Sequence, residues 1–130
     1  MTPTRRREFG DKGEALAEDF LKKLGYTVVS KNYRVGNLGE IDIIVRKKKE
    51  YVFCEVKTRD VAHEATFPIG FSIDTRKRKA LRKACEIYLA ESGKDNANWR
   101  VDAVLISIDL ETNQVKNIEH IENILWERYY

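Results

Sequence analysis

Residues 39–59, GEIDIIVRKKKEYVFCEVKTR, limit the fold more tightly than any other stretch of the chain. Two arms rich in Ile, Val, Phe and Tyr flank a polar KKKE, the pattern of two strands joined by a turn. The strands are expected at about Glu40–Arg46 and Tyr51–Thr58. Side chains alternate along a strand, so Tyr51, Phe53, Glu55 and Lys57 share one face, and Glu40, Asp42 and Ile44 share a face of the first arm. A turn centred between Lys48 and Lys49 sets Asp42 directly opposite Glu55. A one-residue slip would undo that pair.

Opposed carboxylates on neighbouring strands repel and call for a counter-charge. Lys57, two residues along on the same face, offers part of it. A divalent cation offers more, and hard oxygen donors suit Mg²⁺ or Mn²⁺. In the bland alternative the two acids are solvated or paired with Lys57 and Arg59. Isolated Asp…Glu-x-Lys patterns arise readily by chance, so the neighbouring segments must decide.

The remaining elements follow from periodicity. DKGEALAEDFLKKL, about Asp11–Leu24, carries Leu16, Ala17, Phe20, Leu21 and Leu24 at helical spacing and stops at Gly25. Glu14 falls beside Leu21 at the edge of that apolar stripe. YTVVSKNYRV reads as a short strand, followed by a turn at Gly36, Asn37 and Gly39. A second helix is expected over about Thr75–Ser92, with Gly93 as its stop. WRVDAVLISI reads as a central strand, VKNIEHI as a last strand and ENILWERYY as a short terminal helix. The order α-β-β-β-α-β-β predicts an α/β fold, a mixed five-stranded sheet flanked by helices, in one domain over residues 1–130. Residues 1–8 are expected to be a flexible basic arm. The connection from Arg59 to about Asp74, with Pro68 and Gly70, is long enough to be a mobile, substrate-facing segment.

The chain has 130 residues, and 42% of them are hydrophobic, which suits a globular domain. Its apolar runs fall short of a bilayer span, and no apolar segment follows the basic MTPTRRREFG, so a cytoplasmic protein without a membrane role is expected. Two cysteines, Cys54 and Cys85, and two histidines, His63 and His120, make a Cys/His zinc site improbable. Both cysteines fall on apolar positions and read as small buried hydrophobes.

Charge is unevenly placed. Residues 1–100 carry 22 Lys and Arg against 15 Asp and Glu, whereas residues 101–130 carry 2 against 6. This asymmetry fits a protein with one side toward a polyanion, although a solvated mixed-charge surface would look similar. Candidate nucleic-acid contacts are Asn32, Tyr33 and Arg34 in KNYR, Arg59, and Arg76, Lys77 and Lys79 in TRKRKALRK. Lys77, one turn before Leu81, is the one expected to point toward the acids. Tyr33 packing and Arg34 in solvent is an equal reading. Asp102 interrupts an apolar strand and is expected to pair with Arg100 as a structural group. Trp99 and Trp126 read as core or interface anchors.

GEALAEDFLKKLGY, KNYRVGNLGEIDII, CEVKTR, KALRKACEIYL and RVDAVLI, in this order, resemble the YraN-type family of predicted endonucleases. That family is similar to archaeal Holliday junction resolvases and has a restriction-endonuclease-like fold. The resemblance covers most of the chain. It implies a PD-(D/E)xK nuclease core with Mg²⁺ or Mn²⁺ as cofactor and DNA, branched or structured, as partner. Asp42 would be the acidic metal ligand, Glu55 and Lys57 the rest of the signature, and Glu14 the supporting helix carboxylate. Glu40 is a further candidate ligand or an edge carboxylate. Junction cleavage would call for two sites in a symmetric homodimer. The chain departs from the family in DVAHEATFPIGFSID, which bears on substrate choice. A different class of function, a nucleic-acid-binding or scaffold protein that keeps the fold without hydrolysis, also fits the charge pattern. It would bind in a salt-sensitive manner without turnover under any divalent metal.

Overall fold

The computed structural model describes residues 2–61 and 74–125. Its first helix, α1, spans Pro3–Lys23. The Thr2 hydroxyl accepts the Arg5 N–H at 3.1 Å, and Pro3 stands at the first helical position, where its missing N–H costs nothing. The helix therefore starts eight residues before the expected Asp11, and residues 3–8, expected as a flexible arm, are helical. It ends in a Schellman turn: Gly25, at φ +95°, donates to Lys22 O and Tyr26 N–H donates to Leu21 O.

Strands β1 (Thr27–Arg34), β2 (Glu40–Lys47) and β3 (Glu50–Asp60) follow, then helix α2 (Thr75–Glu91) and strands β4 (Asn98–Asp109) and β5 (Gln114–Ile121). The sheet is ordered β1-β2-β3-β4-β5. Neighbours are antiparallel except β3 and β4, which run parallel because α2 makes the crossover between them. This is the expected mixed five-stranded α/β architecture. Of the stretch expected as a terminal helix, Glu122–Leu125 are not helical, and residues 126–130 lie outside the described residues.

Alternation along the strands divides the core into two layers. Ile43, Val45, Val52, Cys54, Val104, Ile106 and Ile108 meet Ala17 and Leu21 of α1. Ile44, Tyr51, Phe53 and Val101 meet Leu81, Ala84, Cys85, Tyr88 and Leu89 of α2. Each large side chain fully withdrawn from water contributes about 1.5–3 kcal/mol. Trp99 packs edge-on to Phe53, as a core anchor should. Cys54 and Cys85 are buried and unbridged, and burial pushes both thiols up, so they behave as the small hydrophobes expected.

Asp102 is fully buried in the α1-side layer. Its carboxylate accepts from Arg100 Nε at 2.9 Å and from Asn123 N–H at 2.9 Å, and lies 2.7 Å from His120 Nε2. Burial alone would push this carboxyl up, but these partners more than offset it and hold it below its ordinary value. Arg100 also reaches Glu50 and the Tyr26 hydroxyl, so the network ties β3, β4 and β5 to the residue that leads into β1.

Candidate functional site

The β2–β3 ladder has the register that a turn at Lys48-Lys49 demands: Lys47 faces Glu50, Val45 faces Val52 and Ile43 faces Cys54. Pairing stops there, one step short of Asp42 and Glu55. Beyond that point the Val56 N–H is taken by the Asp42 carboxylate, with Oδ2 at 2.8 Å. The side chain thus substitutes for a strand carbonyl and is fixed in place where β2 and β3 separate.

Asp42 is half-buried, and its carboxyl is pushed up to about 7. Burial is the main cause, the Val56 N–H works against it, and the negative charges of Glu55, Glu14 and Glu40 add to it. Three carboxylates, from α1, β2 and β3, therefore act on Asp42 here. Among the described residues no Lys or Arg forms an ion pair with Asp42.

Glu14 reaches the site because of the residue before it. Gly13 is buried, and a Cβ there would sit 1.9 Å from Thr58 Oγ1. Only glycine lets α1 lie this close to β3. Asn32, opposite Asp42 in the β1–β2 register and at φ +52°, donates its amide to Glu14 Oε1 at 2.8 Å and to Glu40 Oε1 at 3.1 Å. Its amide donors are thus engaged by two carboxylates of the acidic group. Left-handed backbone at a non-glycine residue is tolerated best by Asn and clusters at functional sites.

Lys77, in the first turn of α2 and exposed, has its Nζ 3.6 Å from Glu55 Oε1, on the side toward the acids expected from its place before Leu81. The Asp74 carboxylate caps its backbone N–H at 2.8 Å. Lys57 is exposed, and among the described residues it has no ion-pair partner. Tyr33 packs edge-on to Tyr88 and donates to Glu91, while Arg34 pairs with Glu40 at 3.3 Å. Arg59 Nε donates to Ser107 Oγ at 2.8 Å, and Arg76 and Lys79 lie exposed on α2. The connection 62–73, with His63, and Trp126 lie outside the described residues. Sequence reasoning missed Gly13, the Val56 N–H and the Asn32 amide; the one signal was a glycine inside a helical stripe, beside the acid it positions.

Among the described residues no three His, Cys, Asp or Glu side chains form a ready-made ligand cluster. A cation such as Mg²⁺ does not demand one: it is commonly held by one or two carboxylates, with waters and substrate phosphate completing the shell. An all-oxygen set around Asp42 and Glu55, with Asp42 Oδ2 engaged by Val56 and Oδ1 left for a ligand, fits that chemistry in kind.

Taken together, fold and site define an α/β protein that gathers carboxylates at the splayed end of a central strand pair. The chain belongs to uncharacterised protein family UPF0102, whose model matches residues 13–106. UPF0102 proteins of Desulfosudis oleivorans and Moorella thermoacetica are similar to it. The first is 41% identical over 78% of this chain and 80% of its own, the second 40% over 94% and 98%. Pyrococcus furiosus SfsA, solved in complex with Ca²⁺, is a distant structural neighbour: TM-score 0.38, 16% identity, covering 90% of this chain and 63% of that one. No helix among the described residues is long and apolar enough to cross a membrane.

Proposed function

We propose that this protein is a divalent-metal-dependent endonuclease that hydrolyses phosphodiester bonds in DNA, in particular branched or structured DNA. The observation that carries this reading is Asp42: a half-buried carboxylate fixed by the Val56 N–H, in the field of Glu55, Glu14 and Glu40, beside a basic helix entry. Asp42 and Glu55 would hold Mg²⁺ or Mn²⁺, with Glu14 and Glu40 completing the acidic group. When bound, such an ion polarises a phosphoryl oxygen and lowers the pKa of a coordinated water. Lys57 orients the attacking water or neutralises charge developing on the phosphate. Lys77 screens Glu55, and Arg76 and Lys79 receive the flanking phosphates. Asn32 keeps Glu14 and Glu40 turned into the site.

Asp42→Asn or Glu55→Gln is expected to reduce metal-dependent cleavage at least about a hundredfold, the scale of losing Lewis-acid stabilisation, with the fold intact. Undiminished cleavage by both variants, in preparations cleared of contaminating nuclease, would sink the assignment. The second reading, a nucleic-acid-binding protein without turnover, draws on the Lys77 ammonium already beside Glu55. It requires salt-sensitive DNA binding with no product under Mg²⁺ or Mn²⁺.

A further inference from the structure

At the end of the sheet away from the carboxylates, the β2–β3 turn meets the segment after α2 and leaves a cleft of about 460 Å³. Arg46, Lys48, Lys49 and Lys94 line it, with Asp95 the one carboxylate on its wall. Several cations elsewhere are committed, Lys22 and Lys31 to Glu18, Arg34 to Glu40 and Arg100 to Asp102, although Lys57 is not. The four around the cleft form no side-chain ion pair or hydrogen bond among the described residues.

Two backbone features hold this charge in place. A Schellman turn at the end of α2, with Gly93 N–H to Ala90 O at 3.1 Å and Lys94 N–H to Leu89 O at 2.7 Å, fixes where Lys94 leaves the helix. Lys48 opens the two-residue hairpin loop at φ +56°. Turn chemistry favours Gly or Asn there, and a lysine in left-handed backbone is held at a cost. The helix C-terminus attracts Lys94, but it does not explain a strained lysine on the adjoining turn.

We propose that this cleft binds a backbone phosphate of the same nucleic acid whose scissile bond lies at Asp42 and Glu55. The inference rests on the nucleic-acid reading above and deepens it by defining the substrate as a duplex arm. Four to six strand residues separate Asp42 from Arg46 and Lys48, roughly 13–20 Å. That distance corresponds to about four to six base pairs of B-form duplex. Helix α2 bridges the two ends and exposes Arg76, Lys79, Arg82 and Lys83 along the way. A short end or a free nucleotide cannot reach both places; a duplex arm can.

The test is fluorescence anisotropy without divalent metal, comparing a duplex of about 20 base pairs with a hairpin of about 4 base pairs, across salt concentrations. Lys48→Gln/Lys49→Gln should weaken the long duplex about tenfold, make its salt slope shallower by about two, and leave the short hairpin unaffected. Lys48→Gly guards against misfolding as an explanation. It should raise Tm by about 2–4 °C while lowering affinity for the long duplex. Equal affinity of wild type and the double variant, an equal loss on both probes, competition by mononucleotide alone, or a lower Tm for Lys48→Gly each overturns the proposal. Because no cleavage is measured, a failure here is distinct from a failure of the nuclease reading, which the Asp42 and Glu55 variants decide.

Discussion

Asp42 carries the clearest signature of strain at the residue scale. Its carboxyl is pushed up to about 7, first by burial and then by three neighbouring carboxylates, against the one N–H that stabilises its charge. In the unfolded chain the same group titrates near 3.9. The folded state therefore binds the extra proton between those values, and stability falls as pH rises from about 4 to about 7. Asn at this position keeps an acceptor for the Val56 N–H and removes the charge. Asp42→Asn is thus expected to be neutral in stability near pH 4 and stabilising by on the order of 2–4 kcal/mol at pH 8 in EDTA. Urea denaturation at the two pH values checks this. A variant equally or less stable than wild type at pH 8 would mean that Asp42 pays no penalty for its ionised form.

The same site shows, at the scale of elements, what a linear reading can and cannot reach. The β2–β3 register was legible because a two-residue loop and alternating arms leave one symmetric pairing, and the ladder keeps it as far as Ile43 and Cys54, one step short of the expected Asp42–Glu55 pair. The start of α1 was not. Its first turns are exposed and lack a stripe, and only the Thr2–Pro3 cap marks them. Asp102 was recognisable as a partner of Arg100 two residues away, but His120 and Asn123 join it only through the folding of β5. The bonds from the Asn32 amide to Glu14 and Glu40 were not legible, because left-handed backbone at one residue leaves no periodic trace. Gly13 belongs to this hidden class and can be tested. Gly13→Ala places a Cβ against Thr58 Oγ1, so α1 must shift outward, taking Glu14 with it. The expected cost is about 1–3 kcal/mol, the range for overpacking. Thr58→Ala, which removes the clashing oxygen, should recover part of it. Independent, additive effects in that double-mutant cycle would contradict a direct contact.

At the scale of the molecule, the sheet is covered on both faces, and the basic side of α2 stands next to an acidic group in which, among the described residues, Asp42 has no ion-pair partner. A fold that holds four carboxylates in one field gives up stability that a divalent cation can return. Metal binds the deprotonated carboxylate, so binding must expel the proton that Asp42 retains below about pH 7. Mg²⁺ or Mn²⁺ should raise Tm by a few degrees at pH 8. The underlying gain is about 2.7 kcal/mol when the ion is a hundredfold above its Kd. At pH 5.5 the same concentration should give a smaller rise, because competition with the proton weakens the affinity. Asp42→Asn should lose most of the shift at both pH values while starting from a higher Tm at pH 8 without metal. Thermal melts of the two proteins with EDTA, Mg²⁺ and Mn²⁺ separate these effects. If the metal-dependent rise is as large in the variant as in the wild type, the ion is stabilising the protein elsewhere, and the carboxylates at the splayed strand ends are not its site.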